Sequence, residues 1–292
     1  MVTRTRGTLF TLTAAFAACW AAPALAQDGF VFTDFSSTTN LNLIADAGQV
    51  GNVIALTPDT GRSKGAMWYQ FRQNVAGGFE TQFTFSVDNI HRGGADGFAF
   101  VIQNSSNTAI GGDGGALGYG DNPMFGGVGI ANSLAIEFDM WDNTWDWADI
   151  DGNHVSIQSR GVAANSPVFG QGTMASAALP SGTTDLNDGG LHTALITYTP
   201  GLRGVSSGTL TVYVDDLLNP ILQTNVNLEQ LLALEGDGEA FVGITAATGN
   251  ALDAQRHLVH SWSFNPTIPS PGVVSLLGVA GVMAVRRRRS TL

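Results

Sequence analysis

Short apolar runs separated by turns rich in glycine, asparagine and aspartate make up residues 30–264. Within many runs, apolar and polar positions alternate with a period of two, which is typical of half-buried strands, whereas a helical period is almost absent. The pattern predicts strands at 30–35, 53–56, 66–71, 79–87, 97–103, 134–140, 154–158, 193–199, 209–214, 240–246 and 258–264. Regular short strands joined by glycine turns indicate an all-β sandwich of two antiparallel sheets.

Two long segments interrupt these strands. Residues 109–129 and 161–190 are rich in glycine and serine, and loops of that length in a compact domain are usually functional or mobile. Residues 228–234, Leu-Glu-Gln-Leu-Leu-Ala-Leu, predict a short helical turn. We find no internal repeat and no linker, so the sequence predicts a single domain.

One predicted strand carries two carboxylates on the same face. Glu137 and Asp139 are two residues apart, whereas Ile136, Phe138 and Met140 take the opposite face and predict core positions. Carboxylates on a buried strand require compensation, and a cation is the usual source of it.

Further candidate ligands follow this strand. Asn143, Asp149 and His154 lie in a segment rich in oxygen donors and aromatic rings. Oxygen ligands alone suit calcium, and the addition of an imidazole suits manganese, zinc or iron. The segment therefore predicts a metal site. In one version of this site, two ions share Asp139 and Asp149 as ligands. The alternative is an acidic surface loop with a chance histidine.

The first residues predict a secretory signal peptide. Arg4 and Arg6 precede an apolar run at 9–20, and Ala24-Leu25-Ala26 supplies a small-residue cleavage site after Ala26. The domain that follows the signal peptide is accordingly expected at 27–267.

The last residues, 268–292, predict a sorting or anchoring tail. Pro269-Ser270-Pro271 leads into an apolar run at 272–285 that is short for a membrane span, followed by Arg286 to Arg289. This arrangement resembles the sorting tails of exosortase-processed proteins, although those carry Pro-Glu-Pro. A plain single-span anchor is the alternative. We expect a protein secreted to the outer surface of a Gram-negative bacterium, with transient anchoring in the inner membrane.

Removal of both ends makes the chain strongly acidic. It takes away six of the 13 lysines and arginines and none of the 24 aspartates and glutamates, so the formal net charge changes from −11 to −17. Nucleic acid and anionic membrane are therefore poor partners. The one cysteine, Cys19, lies in the predicted signal peptide, so the core must be stable without a disulfide.

Several motifs carry a resemblance to a known family. Ala95-Asp96-Gly97-Phe98-Ala99-Phe100 is similar to the ADGxAF strand of the L-type (legume-type) lectins. The family's metal-loop signature is matched by Glu137, Asp139, Trp141, Asn143, Asp149 and His154. Its glycine-rich loop is matched by residues 114–118, and its C-terminal signature is matched by residues 243–249 and 260–264. The resemblance covers essentially all of residues 30–264, in the family's order, and implies a concanavalin-like jelly-roll sandwich.

The resemblance also implies two metal ions. Calcium would be held by Asp139, the backbone carbonyl of Trp141, Asn143 and Asp149. A transition metal, usually manganese, would be held by Glu137, Asp139, Asp149 and His154. Because the loop before Asp149 is one residue longer than in the plant pattern, Asp146 or Asp151 could take its place.

The sugar-contacting residues are likewise implied by the family. Asp96 would accept hydrogen bonds from sugar hydroxyls and would follow a cis Ala95–Asp96 bond, while Asn143 and the Gly115 amide would donate. Trp141 would offer an aromatic face to the sugar. The remaining contacts would come from Asn250, Ala251 and Leu252.

The expected function is therefore reversible binding of glycans or an exopolysaccharide, dependent on both metals, without catalysis. The sequence leaves open whether the protein forms a homo-oligomer. One alternative is a laminarinase-type glycoside hydrolase that uses Glu137 and Asp142, although that family has glutamate at the second position. Another is a structural matrix protein with a degenerate site. The other histidines, His91, His192, His257 and His260, have no acidic partner at ligand spacing and predict ordinary strand or surface positions.

Overall fold

A computed structural model describes residues 29–124, 126–180, 182, 184–202, 206–250 and 252–267. In chain order its strands are β1 (Phe30–Phe32), β2 (Leu41–Ala45), β3 (Gly48–Val50), β4 (Val53–Ala55), β5 (Lys64–Tyr69), β6 (Gln73–Asn74), β7 (Phe79–Asp88), β8 (Gly97–Gln103), β9 (Ser133–Asp139), β10 (His154–Ser159), β11 (Thr173–Ala178), β12 (His192–Thr199), β13 (Gly208–Val214), β14 (Leu222–Val226), β15 (Glu239–Ala247) and β16 (Arg256–Pro266). A 3-10 helix at Gly114–Ala116 and the short helix α1 at Leu228–Leu231 complete the fold.

The strands form two antiparallel sheets of eight strands each. The first, the back sheet, has the order β14-β13-β12-β7-β16-β4-β3, with β1 paired to β16. The second, the front sheet, has the order β11-β10-β9-β8-β15-β5-β2, with β6 paired to β15. The predicted all-β sandwich is therefore confirmed.

The core lies between the two sheets. In β7 alternate residues are buried, and Phe83 and Phe85 meet residues of the facing sheet. The ring of Phe138 in β9 stacks on that of Phe98 at 4.8 Å and stands edge-on to that of Phe83 at 5.6 Å. Large aromatic side chains bury much apolar area, so this layer fixes the inner face of β9 and leaves its outer face for polar side chains.

The outer face of the front sheet is covered as well. A second apolar cluster joins Ala99 and Val101 of β8 to Leu117 and Tyr119 of the glycine-rich segment. Trp68 donates a hydrogen bond from Nε1 to the carbonyl of Ala109 at 2.8 Å. The segment predicted as a long loop at 109–129 is therefore packed on the sheet, and it buries the carboxylates of β9.

The sequence missed mainly the edges of the sheets. The edge strands are β14 and β3 in the back sheet and β11 and β2 in the front sheet. Strand β11 lies inside the segment predicted as a loop at 161–190. Edge strands bury less surface than central strands, and β11 consists of small, half-buried side chains. The hydrophobic pattern is weak there for that reason.

In the part of the chain that the structure describes, no helix is both long and apolar enough to cross a membrane. The predicted signal peptide at 1–26 and the predicted tail at 268–292 lie outside the described residues.

Candidate functional site

A cavity of about 240 Å³ opens beside the outer face of the front sheet; we call it the cup. Five of the predicted sugar-contacting residues line it: Asp96, Gly115, Trp141, Asn143 and Asn250. They come from four separate stretches of the chain, which the fold brings together at one place. Residues from the ADGxAF strand, the glycine-rich loop, the metal loop and the segment 243–249 therefore meet in a single cavity, whereas residues 260–264 do not line it.

One further predicted contact, Leu252, does not line the cup. Leu252 is half exposed and lines a separate depression with Asp59 and His91. A turn between Asn250 and Asp253, with an N–H···O bond of 3.1 Å, places Leu252 on that outer side. Its predicted sugar contact is not supported by this position. Ala251 lies outside the described residues.

Asp96 is the buried carboxylate of the cup. The bond between Ala95 and Asp96 is cis, as the family resemblance implied. The Asp96 N–H donates to the carbonyl of Ala247 at 3.0 Å, and its own carbonyl accepts from the Met140 N–H at 2.8 Å. Its side-chain Oδ2 is buried and has no hydrogen-bond partner within the described residues. Burial, followed by the negative charges of nearby aspartates, raises the pKa of Asp96 to about 8.

Asn143 stands beside Asp96 in the cup. Its carbonyl accepts from the N–H groups of Asp146 and Trp147 at 3.1 and 2.8 Å, which forms a helical turn. Its side-chain Oδ1 is buried and also lacks a partner among the described residues. A Cβ on Gly115 would lie 3.0 Å from that oxygen and 3.2 Å from the Trp147 ring. Glycine is therefore needed at position 115 for this close approach.

The oxygen donors expected for calcium lie beside the cup. Asp139 Oδ1 accepts from the Trp141 N–H at 2.9 Å, and Asp149 Oδ2 accepts from the Asn143 N–H at 3.1 Å. Burial raises the pKa of Asp139 well above its ordinary range, and the Asp149 carboxylate raises it further. Burial likewise raises the pKa of Asp149, to about 6. These carboxylates, with the orphaned Asn143 Oδ1 and the Trp141 carbonyl, are a donor set that fits calcium.

Asp149 is better placed for this set than its two neighbours. Asp146 is exposed and lines the cup, and Asp151 lies next to His154, with Oδ1 3.6 Å from the imidazole Nδ1. After burial, the Asp149 carboxylate is the largest cause of the raised pKa of Asp139, which indicates that the two carboxylates lie close together. The structure therefore favours Asp149 over the two alternatives.

The ligands expected for a transition metal are not assembled. Both carboxylate oxygens of Glu137 accept hydrogen bonds from side chains of the protein. His154 lies opposite Asp139 in the strand register, and its Nδ1–H donates to the Asp151 carbonyl at 2.9 Å, so Nε2 is the ring atom that would ligate a metal. Nowhere in the described part of the chain do three His, Cys, Asp or Glu side chains form a group that could hold a metal ion. The residues present therefore do not fit the second ion.

The pKa values of these two residues follow from their burial. Burial raises the pKa of Glu137 to about 7, against the lowering effect of hydrogen bonds from Ser156, Tyr119 and Gln158. Burial lowers the pKa of His154, so the neutral imidazole is favoured.

The cup is also lined by three charged residues that the sequence motifs did not include, Arg62, Asp113 and Asp253. Among the described residues that line it, four are aspartates and one is an arginine. Arg62 Nε lies 3.1 Å from Asp113 Oδ2, and Asn122 donates to the Asp113 carbonyl at 2.9 Å. Asp113 directly precedes Gly114 and Gly115, so the glycine motif could have pointed to it. Arg62 is 51 residues away in sequence and carries no comparable signal.

His192 lies on a strand as predicted, but the expectation that it has no acidic partner is wrong. Its Nδ1 lies 2.9 Å from Asp215 Oδ2 and its Nε2 lies 3.1 Å from Asp188 Oδ1. Asp215 follows β13, which pairs with β12, so the contact depends on a strand register that sequence spacing does not show. His91 also has an acidic neighbour, with Nε2 3.6 Å from Asp59 Oδ2.

A model of the legume lectin domain matches residues 27–274. A probable L-type lectin-domain containing receptor kinase, S.7 of Arabidopsis thaliana, is 28% identical over 264 residues, which cover 82% of this chain and 35% of the kinase. The basic agglutinin of Psophocarpus tetragonolobus is 28% identical over 249 residues, covering 78% of this chain and 86% of the agglutinin. The chain spans between 32% and 41% of the length of the first receptor kinases it matches.

A solved structure shows the same architecture. The acidic lectin of winged bean, in complex with methyl-α-D-galactose, superposes with a TM-score of 0.61 at 25% sequence identity. The superposition covers 81% of this chain and 96% of the lectin.

Proposed function

The chain belongs to the legume lectin domain family, and on that basis we propose that it binds carbohydrate reversibly in the cup and does not cleave it. The agglutinin among its relatives and the sugar complex of the winged bean lectin support this class of ligand. Glycans or an exopolysaccharide are the partners we propose. Nucleic acid is excluded from the proposal because the chain is acidic.

The observation that carries this proposal is the unpartnered oxygen of Asp96. A buried carboxylate oxygen without a hydrogen bond is unfavourable, because the group has lost water and gained no donor. A sugar hydroxyl entering the cup supplies that donor. Gly115 and Asn143, whose N–H and side-chain amide are the proposed donors, line the same cavity, and Trp141 contributes an aromatic ring to its lining.

Calcium is the cation we propose for Asp139, Asn143, Asp149 and the Trp141 carbonyl. When bound, it would compensate the negative charge of Asp149, which now raises the pKa of Asp139. Asn143 belongs both to the proposed sugar-contacting residues and to the proposed calcium ligands. Its side chain lines the cup, and its N–H donates a hydrogen bond to Asp149. Sugar binding is therefore proposed to depend on calcium through the position of Asn143.

The hydrolase alternative lacks a suitable pair of carboxylates. Glu137 is buried on β9 within a hydrogen-bond cluster, and Asp142 is exposed and bonded to the N–H of Thr144 at 2.9 Å. Neither lines the cup. A glycosidase needs both groups at the scissile bond, one on each side of it.

The test is a glycan array run with calcium and with excess chelator. We expect binding to a restricted set of glycans with calcium and none with chelator. Incubation of the bound glycans, and of a β-glucan, should release no reducing sugar. Release that is lost in Asp142→Ala would establish the enzyme instead, and an array without any binding would favour the structural matrix protein.

Export is a separate part of the proposal. It is supported by the sequence features of residues 1–26 and 268–292 and predicts a mature chain that begins near Gln27. Mass spectrometry of the intact protein from its native host tests this. A soluble cytoplasmic chain that retains Met1 and Leu292 would contradict it.

A further inference from the structure

Glu137 is enclosed by hydrogen-bond donors that belong to the chain itself. Its Oε1 accepts from the Tyr119 hydroxyl, and its Oε2 accepts from the Ser156 hydroxyl and, at 3.2 Å, from Gln158 Nε2. Gln158 Nε2 also donates to Ser156 Oγ at 3.1 Å. All four side chains are buried. Together they form a connected polar network, which we call the Glu137 cluster.

Strand register places two of these donors. Ser156 on β10 is the register partner of Glu137 on β9, and paired residues of adjacent strands point to the same face. Gln158 follows two residues later, on that same face. The donors are therefore fixed by the sheet itself and do not depend on a flexible loop.

The third donor comes from the glycine-rich segment. The Tyr119 N–H donates to the Ala116 carbonyl at 3.0 Å, and the Tyr119 carbonyl accepts from the Ile130 N–H at 2.8 Å. Its ring is packed in the apolar cluster on the outer face of the front sheet. The bond to Glu137 therefore fastens to β9 the segment that also supplies Gly115.

A transition metal needs ligands that converge in a defined geometry. Three internal donors already occupy three of about four lone-pair sites on the Glu137 carboxylate, which leaves it little capacity as a metal ligand. Displacing one of these buried hydrogen bonds would leave its donor unpaired, which is unfavourable.

We propose that this chain holds one cation, calcium, and that Tyr119, Ser156 and Gln158 replace the second, transition-metal ion by binding Glu137 themselves. The claim that the chain holds calcium rests on the proposed function. The claim that internal donors bind Glu137 rests on the Glu137 cluster alone. Tyr119 is then a positioning residue, because it orders the Gly115 segment without lining the cup.

Metal content is the first test. The full chain is stripped with chelator, incubated with excess calcium, manganese and zinc together, desalted and measured by elemental mass spectrometry. We expect one calcium per chain and no manganese or zinc above the buffer blank. A transition metal retained at one per chain would overturn the proposal, and so would a chain that retains no calcium.

Glycan affinity is the second test, and it separates the two proposals. The affinity of the stripped protein for its array ligand is measured with calcium alone and with calcium plus manganese. Equal affinities are expected. A requirement for manganese would overturn the single-cation proposal. Failure to bind any glycan with calcium fully loaded would instead contradict the proposed function, whatever the metal count.

The positioning role is tested with Tyr119→Phe, against Tyr213→Phe on β13 of the back sheet as the matched control. We expect Tyr119→Phe to keep one calcium per chain, to speed hydrogen exchange within residues 109–130 and to lower glycan affinity several-fold. Tyr213→Phe should change none of these. If Tyr119→Phe does not fold, Glu137→Gln, which removes the charge from the acceptor of the same hydrogen bond, is measured in the same way. Variants that match wild type in exchange and affinity would contradict the role.

Discussion

The side-chain oxygen of Asn143 lies so close to Gly115 that a single added carbon would stand 3.0 Å from it. The same carbon would stand 3.2 Å from the Trp147 ring. The glycine-rich segment and the proposed calcium loop are therefore fitted to each other, and a disturbance of one is transmitted to the other.

Gly115→Ala should lower glycan affinity by about 1.4 kcal/mol or more, roughly tenfold, because Asn143 must move away from the cup. Calcium should still bind, since Asp139 and Asp149 are unchanged. Titration calorimetry measures both. The matched control is Gly236→Ala, where an added carbon has no neighbour within 4 Å. Equal affinities for the two variants would refute the close fit.

Asp96→Asn should leave the fold intact and remove glycan binding. The change replaces an acceptor oxygen by an amide group that donates, so hydrogen bonds to sugar hydroxyls are lost. Bonds to a charged group contribute about 1.5–3 kcal/mol each, so the loss of two of them corresponds to roughly a hundredfold to ten-thousandfold in affinity. Circular dichroism checks that the fold is intact, and a glycan array checks that binding is lost. Asp237→Asn, far from the cup, is the control, and retained binding in Asp96→Asn would disprove the role.

Asn143→Ala should weaken both calcium and glycan binding, because the residue supplies an oxygen beside the carboxylates and also lines the cup. Trp145→Ala serves as the control on the same turn, since the Trp145 side chain is 97% exposed. We expect calcium affinity to fall several-fold in the first variant and to stay constant in the second. Loss of glycan binding at unchanged calcium affinity would show that the two functions are not linked through Asn143.

The stability of the metal-free protein should fall as the pH rises from about 4 to about 8. Burial raises the pKa of Asp96 to about 8 and that of Asp149 to about 6, whereas unfolded aspartates titrate near 3.9. The folded state therefore binds these protons more tightly, and its advantage is lost as the pH passes through the raised values.

Calcium competes with the same protons. The rise in melting temperature on adding calcium should therefore be larger at pH 8 than at pH 5. Differential scanning fluorimetry with calcium or chelator across this range measures it. A metal-free protein that is more stable at pH 8 than at pH 5, or a calcium effect that does not depend on pH, would contradict the prediction.

The central strands and the cup could be predicted from the sequence, because both depend on local patterns. The strand predicted at 134–140 is β9, and the motif residues Asp96, Gly115 and Asn143 meet in one cavity. The predicted cis bond before Asp96 is also confirmed.

The surroundings of Glu137 could not be predicted in the same way. A carboxylate on a buried strand indicates compensation, but the sequence does not show whether a cation or hydrogen-bond donors supply it. Ser156 is placed by strand register, and Tyr119 by the packing of a segment 18 residues earlier in the chain. Both depend on tertiary contacts that have no periodic signal.

The aspartates that line the cup make the site a filter for ligand charge. With Asp113, Asp146 and Asp253 against one arginine, uronic acids, sulfated sugars and sialylated chains would meet repulsion that neutral sugars do not. Salt weakens such repulsion, since exposed charges are screened within about 10 Å at 0.1 M ionic strength. Discrimination against acidic polysaccharides would therefore be strongest at low ionic strength, so the set of glycans that the proposed site retains would depend on the salt concentration around it.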